Sequence, residues 1–267
     1  MKKQSVLGSL PGVQVVLFDL GGTLWAPFGE KSGDQVLDFS VAQLIQEIEA
    51  VTGVRLCQDS VREKIVINLA GFKPTCLNHG ESILDSDSWR EVDLYHVISE
   101  ILHFYCIYTP NESIVCLTDG FADNLSKEYA LYSETIDVLS QLKSSGYKMG
   151  IVSNTAIPPY IIDRYLAESG ILDYIDFRVL SSEVGWRKPH RNIYKEALNR
   201  AKVKPENVIF VGDRLLEDVC GPSLMGMHSA LIVKESQLTE DLESKQCFIV
   251  LNSLNDLVCV DPTTLFH

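Results

Sequence analysis

Residues 13–24 of the chain read VQVVLFDLGGTL. The run begins with β-branched and other apolar residues, interrupted only by Gln14, and it ends at a carboxylate, Asp19, followed by two glycines. A short apolar run closed by turn residues is typical of a strand buried on both faces of a parallel sheet. We therefore predict a central strand over residues 13–20 that presents Asp19 at its carboxyl end.

Similar apolar runs recur in the second half of the chain, where they alternate with helical patterns. Predicted strands cover residues 148–153, 177–181, 208–212, 229–233 and 247–251, and predicted helices cover residues 134–145, 158–169 and 191–201. Gly146 and Gly170 end the first two of these helices as C-terminal caps. This alternation predicts an α/β fold with a Rossmann-like parallel sheet core and helices on both faces.

The chain between residues 27 and 130 shows apolar residues at helical spacing and no strand pattern. We expect four helices there, two of them opened by capping boxes at Ser60–Glu63 and Thr109–Glu112. Such a segment, lying between the first and second strands, predicts an inserted α-helical cap domain over residues 27–130. The α/β core then comprises residues 1–26 and 131–267.

The composition limits the classes of partner. Hydrophobic residues make up 46% of the chain, which is enough to bury a core, but no apolar run approaches the ~20 residues that span a bilayer. Thirty-six acidic against 23 basic side chains give a net charge of −13, which repels nucleic acid and anionic membrane surfaces. We expect a small substrate as the partner, no nucleic acid and no membrane; the oligomeric state stays open.

The seven cysteines are scattered and form no CxxC pair. Cys106 and Cys259 have apolar neighbours, so we expect buried, reduced thiols. The N-terminus also lacks the apolar segment of a secretory signal. Both observations predict a cytoplasmic location.

Polar side chains collect where the predicted strands end, which is the edge where open α/β sheets bind ligands. The side chains at this edge are Asp19, Ser153, Asn154, Lys188, Asp213 and Asp218. Carboxylate oxygens suit Mg²⁺, whereas a hydroxyl and an ammonium group suit phosphate oxygens. A carboxylate in line with a phosphorus atom can also act as a nucleophile. The sequence therefore predicts a site for Mg²⁺ and a small phosphorylated substrate.

Four segments in this order resemble the motifs of the haloacid dehalogenase superfamily: FDLGGTL at 18–24, IVSN at 151–154, KPHRNIY at 188–194 and GDRLLED at 212–218. The helical insertion lies where that family places its first-type cap. The resemblance implies the following roles: Asp19 as nucleophile; Ser153, Asn154 and Lys188 as substrate-binding residues; Asp19, the Gly21 carbonyl and Asp213 as Mg²⁺ ligands; and Asp218 in support, through water or Lys188. It implies a Mg²⁺-dependent phosphohydrolase that works through an aspartyl-phosphate.

Gly21 departs from the family pattern. Most phosphatases of the family carry a second aspartate two residues after the nucleophile, as general acid and then base. General acid–base catalysis is typically worth about 10²- to 10⁴-fold, so alkyl phosphates should turn over slowly here. Acyl or aryl phosphates avoid this requirement, and a proton donor could also come from the cap or from His190 or Glu217.

Two alternatives stay open. One is a non-catalytic or regulatory phosphate-binding protein of the same fold. The other is a carbon-centred hydrolase, either a haloacid dehalogenase, which works without metal, or a phosphonatase-type enzyme, which needs a cap lysine. The cap lysines available for that role are Lys31, Lys64, Lys73 and Lys127. Asp19, Ser153, Lys188 and Asp213 are all present, which favours the phosphohydrolase.

Overall fold

The computed structural model describes residues 6–26, 32–69, 82–127, 129–233 and 248–258. Its strands are β1 (Val15–Phe18), β2 (Trp25–Ala26), β3 (Ala130–Leu131), β4 (Lys148–Ser153), β5 (Phe177–Leu180), β6 (Val208–Gly212), β7 (His228–Ile232) and β8 (Ile249–Leu251). Six of them form a parallel sheet in the order β5-β4-β1-β6-β7-β8. The predicted strands at 148–153 and 208–212 are confirmed with their boundaries, and the others shift by a few residues.

The helices in the described residues alternate with these strands or lie in the insertion. They are α1 (Gly33–Thr52), α2 (Gln58–Leu69), α3 (Leu94–Phe104), α4 (Asn111–Ser126), α5 (Thr135–Ser144), α6 (Pro159–Glu168), α7 (Ser181–Val184), α8 (Arg191–Ala201) and α9 (Gly221–Leu224). A π-helical segment, Leu215–Cys220, leads into α9. Pro222 is the second residue of α9.

Strand β1 shows why the sheet is covered on both faces. Its side chains alternate between two hydrophobic clusters: Val16 and Phe18 join the cluster that contains α5 and α6, whereas Val15 and Leu17 join the cluster that contains α8. All four residues are buried. A strand covered on both sides has no polar face, which explains its nearly continuous apolar sequence. The Rossmann-like α/β class is confirmed.

The insertion contributes helices α1 to α4 between β2 and β3. These two strands pair antiparallel, with Trp25 opposite Leu131, and the Trp25 ring stacks on Tyr129 at 5.1 Å. The inserted helical cap is thus confirmed as part of the fold class, and its exact limits at residues 27 and 130 stay a prediction. The pattern analysis missed β2 and β3 because two residues are too few to show a period.

Both predicted capping boxes are wrong. Ser60 lies inside α2, which begins at Gln58, and the residue that caps α4 is Pro110, which offers no side-chain acceptor. A capping box does open α1, where Ser32 and Gln35 exchange hydrogen bonds. The spacing of Ser or Thr and Glu recurs by chance on helical surfaces, so only the chain path decides which one is a cap.

The expectation of buried thiols is also wrong for three of the four cysteines in the described residues. Cys57, Cys106 and Cys116 are exposed and Cys220 is half-buried, while Cys76, Cys247 and Cys259 lie outside the described residues. Cys106 has a positive φ at the end of the turn after α3, which carries it to the surface despite its apolar neighbours. Within the described ranges, no helix has the length and apolar character needed to cross a membrane.

Candidate active site

The predicted carboxylates meet at one edge of the sheet. β1 lies between β4 and β6, so the chain leaving these strands places Asp19, Ser153 and Asp213 at the same carboxyl edge. Oxygen atoms of Asp19, Asp213 and Asp218 lie within 4.8 Å of one another. Asp19, Asp218 and Ser153 at the end of β4 are buried, and Asp213 is half-buried.

Lys188 joins two of these carboxylates. Its Nζ donates to Asp19 Oδ1 at 2.9 Å and to Asp218 Oδ1 at 2.6 Å, and its side chain is 2% exposed. Burial alone would lower the pKa of Lys188, but the two carboxylates raise it overall, so the ammonium group stays charged. Burial raises the pKa of Asp218, and the Lys188 charge and the hydrogen bond from the Arg214 N–H only partly offset this rise. The support of Lys188 by Asp218 is therefore a direct ion pair.

Two glycines make this close packing possible. Gly22 has φ +83°, and a side chain there would overlap the Asp213 carboxylate. A side chain at Gly212 would overlap Asp218. Gly21 differs from both, because a Cβ atom there would meet nothing within 4 Å. Gly22 is thus required by its positive φ and by the Asp213 carboxylate, Gly212 is required by the Asp218 side chain, and Gly21 is required by neither.

Asp213 has a buried carboxylate oxygen available to a cation. Its Oδ1 is buried and has no hydrogen-bond partner among the described residues. Burial, together with the negative charge of Asp19, raises the pKa of Asp213. A buried carboxylate oxygen without a donor is costly. A cation bound between Asp19 and Asp213 would remove that cost, so the donor set fits a hard metal ion.

Asn154 is positioned to hold the Lys188 loop. Its Oδ1 accepts the Lys188 N–H at 2.7 Å, and its Nδ2 donates to the Lys188 carbonyl at 3.1 Å. These two bonds occupy both ends of the amide. They fix the loop that carries Lys188 against the loop that follows Ser153, which sequence reasoning did not foresee. Substrate binding by Ser153 and Asn154 stays a prediction.

The two candidate proton donors are engaged elsewhere. His190 accepts the Asn192 N–H through Nδ1 at 3.2 Å, its ring stacks on Trp186, and burial lowers its pKa. The Glu217 carboxylate pairs with Arg214 at 3.6 Å. Neither contact points to the Asp19 cluster, so the geometry offers no support for either residue as a replacement for the family's acid.

The described cap lysines are also engaged outside the site. Lys64 lies over the Phe104 ring, with its Nζ 3.4 Å from the centroid, and Lys127 donates to Asn124 at 2.9 Å. Lys31 and Lys73 lie outside the described residues. The contacts of Lys64 and Lys127 therefore do not support the phosphonatase alternative.

Sequence reasoning missed one buried carboxylate, Glu91, which the insertion brings to the core. Its side chain is 2% exposed and pairs with Arg187, the neighbour of Lys188, at 2.8 Å. A single glutamate in a polar segment gives no signal of this in the sequence, because its partner lies 96 residues away along the chain.

Comparison with known proteins identifies the family of this chain. A family model described as haloacid dehalogenase-like hydrolase matches residues 13–220. A glyceraldehyde 3-phosphate phosphatase of Methanothermobacter thermautotrophicus is 38% identical over 110 residues, which are 41% of this chain and 46% of that protein. Haloacid dehalogenase-like hydrolase domain-containing protein 3 of Homo sapiens is 34% identical over 97 residues, or 36% and 38% of the two chains. The matches thus span less than half the length of these curated relatives.

A solved structure extends the likeness of fold over nearly the whole chain. The 2-haloacid dehalogenase from Pseudomonas syringae pv. Tomato DC3000 superposes with a TM-score of 0.65 at 18% identity, covering 92% of this chain and 96% of that chain. At that identity the superposition speaks for the fold alone. Because the family model spans most of the sequence, the chain belongs to the haloacid dehalogenase-like hydrolase family.

Proposed function

We propose that this protein is a Mg²⁺-dependent phosphohydrolase that acts on a small phosphorylated substrate through an aspartyl-phosphate at Asp19. The observation that carries the proposal is the cluster of Asp19, Asp213 and Asp218 with the buried Lys188 ammonium. The match to a glyceraldehyde 3-phosphate phosphatase over part of the chain supports a phosphate ester as the substrate class.

Asp19, Asp213 and the carbonyl of Gly21 would hold the Mg²⁺ ion. The buried, unpartnered Oδ1 of Asp213 fits this use, and Asp218 stays paired with Lys188. When bound, the cation supplies positive charge that shields the phosphoryl oxygens from the attacking carboxylate.

Side chains of this protein carry out the transfer of the phosphoryl group to Asp19. An Asp19 oxygen attacks the phosphorus, the bond between phosphorus and the leaving-group oxygen breaks, and its electron pair departs with that oxygen. Lys188 neutralises charge on the phosphoryl oxygens, and Ser153 donates a hydrogen bond to them. A water molecule then attacks the phosphorus of the aspartyl-phosphate, and the bond between phosphorus and the Asp19 oxygen breaks with its electron pair returning to the carboxylate; one water proton stays on the released phosphate and the other passes to solvent.

Gly21 determines which leaving groups depart quickly. Without an acid at this position, the leaving oxygen must depart as an anion, which carboxylates and phenolates tolerate far better than alkoxides do. We therefore expect acyl and aryl phosphates to be hydrolysed faster than alkyl phosphates.

The test is phosphate release from acetyl phosphate, p-nitrophenyl phosphate and glyceraldehyde 3-phosphate, with and without Mg²⁺. Asp19→Asn is the matched control, since it keeps the shape of the side chain and removes the nucleophile. We expect Mg²⁺-dependent release that falls by about 10⁴-fold or more in Asp19→Asn. Release at the level of the variant on all three compounds would refute the proposal, and 2-haloacids would be the next substrates to test.

A further inference from the structure

A short segment of the insertion lies on the core beside the proposed catalytic lysine. We call residues 84–91 the docking segment. Its backbone pairs with the loop that carries Lys188: the Arg187 N–H donates to the Trp89 carbonyl at 2.8 Å, and the Glu91 N–H donates to the Gly185 carbonyl at 3.1 Å. Arg90 and Trp186 form an antiparallel bridge between these bonds.

Side chains reinforce this pairing at both ends of the docking segment. The Arg90 guanidinium lies 3.8 Å from the centroid of the Trp186 ring, which in turn stacks on His190. At the other end, Asp85 forms an ion pair with Arg191, whose N–H donates to the Leu84 carbonyl at 2.8 Å. The docking segment is therefore a contact between the insertion and the core in addition to the paired strands β2 and β3, where the insertion begins and ends.

Glu91 forms the deepest contact of the docking segment. One carboxylate oxygen accepts from Arg187 Nη1 at 2.8 Å and the other accepts from the Ser181 hydroxyl. The Ser181 oxygen also accepts the Thr155 N–H at 2.7 Å. The Val92 N–H also donates to the Arg187-bound oxygen at 2.8 Å, and the Glu91 side chain is 2% exposed, so three donors hold a buried carboxylate.

These contacts link the two loops that carry the proposed phosphate-binding side chains. Arg187 precedes Lys188, and Thr155 lies two residues after Ser153. Asn154 joins the same loops from within the core. Glu91 joins them from outside: it contacts Arg187 on one loop directly, and it reaches Thr155 on the other loop through Ser181 at the start of α7. Removing one partner of this pair would leave the buried Glu91 charge uncompensated, which is costly.

We propose that Glu91 is a positioning residue: through Arg187 and Ser181 it holds the Lys188 and Ser153 loops at the separation that a phosphoryl group requires. The phosphate site is then complete only while the docking segment lies on the core. This inference rests on the proposed phosphohydrolase function for its kinetic consequence. Its structural part, the coupling of the two loops through an insertion residue, stands on the contacts alone.

The test compares Glu91→Gln with Asp87→Asn, a matched control in the same segment. The Asp87 side chain is 89% exposed and lies 3.9 Å from Arg90. Asp87→Asn therefore removes the same unit of charge as Glu91→Gln and leaves the contacts of Glu91 with Arg187 and Ser181 intact. We expect Glu91→Gln to lower kcat/KM for acetyl phosphate by about tenfold and to weaken competitive inhibition by inorganic phosphate by a similar factor. The Mg²⁺ concentration for half-maximal activity should not change, since Glu91 contacts none of the proposed metal ligands.

This pattern separates positioning from a general loss of structure. Partial unfolding would reduce the amount of active enzyme and leave the phosphate inhibition constant unchanged. The kcat/KM of the double variant Glu91→Gln/Arg187→Met should be no lower than that of the poorer single variant, because both substitutions break the same Glu91–Arg187 pair. Additive losses, or an unchanged inhibition constant in Glu91→Gln, would overturn the proposal. If Glu91→Gln does not fold, Ser181→Ala removes the bridge from Glu91 to Thr155, keeps the Glu91–Arg187 pair and should shift the same constants in the same direction.

Hydrogen–deuterium exchange distinguishes failure of this inference from failure of the proposed function. Glu91→Gln should speed exchange in peptides that cover residues 153–157 and 185–191, whereas Asp87→Asn should not. This readout needs no turnover. An inactive wild-type protein with coupled exchange would refute the phosphohydrolase and support the coupling. Exchange that rises only within residues 84–91 would refute the coupling, whatever the activity.

Discussion

Arg187 and Lys188 are neighbours in the chain, yet they serve two different buried carboxylate systems. Lys188 turns to the strand ends and pairs with Asp19 and Asp218 of the core. Arg187 turns to the insertion and pairs with Glu91. Lys188 is 2% exposed, and Arg187 retains 23% exposure. The first cation meets the proposed nucleophile, and the second meets only groups that hold the loop.

This difference shows how one loop can serve both chemistry and cap attachment. The two side chains leave the loop in different directions, so a single backbone carries both cations without competition between them. Asn154 fixes the loop backbone between them. The pairings predict that substitutions on the Lys188 side affect turnover and stability strongly, and that those on the insertion side have smaller effects.

The largest effect should come from Lys188→Met compared with Arg187→Met. Loss of Lys188 removes a charged donor from the phosphoryl oxygens, and we expect kcat for acetyl phosphate to fall by about 10²- to 10³-fold. Loss of Arg187 disturbs only the loop position and should cost about tenfold in kcat/KM. Steady-state kinetics on folded protein, checked by circular dichroism, measure both. Equal losses in the two variants would show that the neighbouring cations do not have separate roles.

Stability should also separate the two cations. Lys188→Met leaves Asp218 buried without its counter-charge, so we expect the free energy of unfolding to fall by about 3–5 kcal/mol. Adding Asp218→Asn should recover part of this loss, because the unpaired charge is then removed as well. Urea unfolding in EDTA measures both variants, since a bound cation would partly mask the effect. No recovery in the double variant would contradict a direct ion pair.

Gly21→Asp sharpens the comparison on the chemical side. The position has open space for a side chain, unlike Gly22 and Gly212, so the new carboxyl should fit without displacing the cluster. We expect hydrolysis of an alkyl phosphate such as glyceraldehyde 3-phosphate to rise by about 10²-fold, as a proton donor becomes available. Gly21→Asn is the control, with the same size and no acid. An equal gain in both variants would mean that proton donation is not what limits the rate.

The smallest effect on stability is expected from a substitution at a solvent-exposed contact between the insertion and the core. On α4, Asp123 pairs with Arg164 of α6, with side-chain exposures of 28% and 48%, and accepts from the Tyr165 hydroxyl at 3.1 Å. Asp123→Asn should change the free energy of unfolding by less than about 1 kcal/mol, because exposed ion pairs are weak. Urea unfolding beside Glu91→Gln is the measurement. A larger loss at Asp123 than at Glu91 would reverse the ranking of these two contacts.

Much of the core of the candidate site could be predicted before the structure. Asp19, Asp213, Asp218 and Lys188 follow apolar runs or precede a helix, and the structure brings all four together. Their proximity follows from local patterns, because parallel strands in one sheet deliver their carboxyl ends to one edge. The roles of Asn154 as a clamp and of Glu91 as an insertion contact had no such pattern.

The sequence by itself determined the α/β class, the helical insertion and the placement of the charged residues at the carboxyl ends of strands. Each of these is encoded in strand and helix periods and in turn residues, which act over a few positions. Only the tertiary structure decided that Gly21 has free space where Gly22 and Gly212 have none, and that Glu91 reaches Arg187 across 96 residues. Such contacts depend on where the chain path places distant segments, and no local pattern of residues records that path.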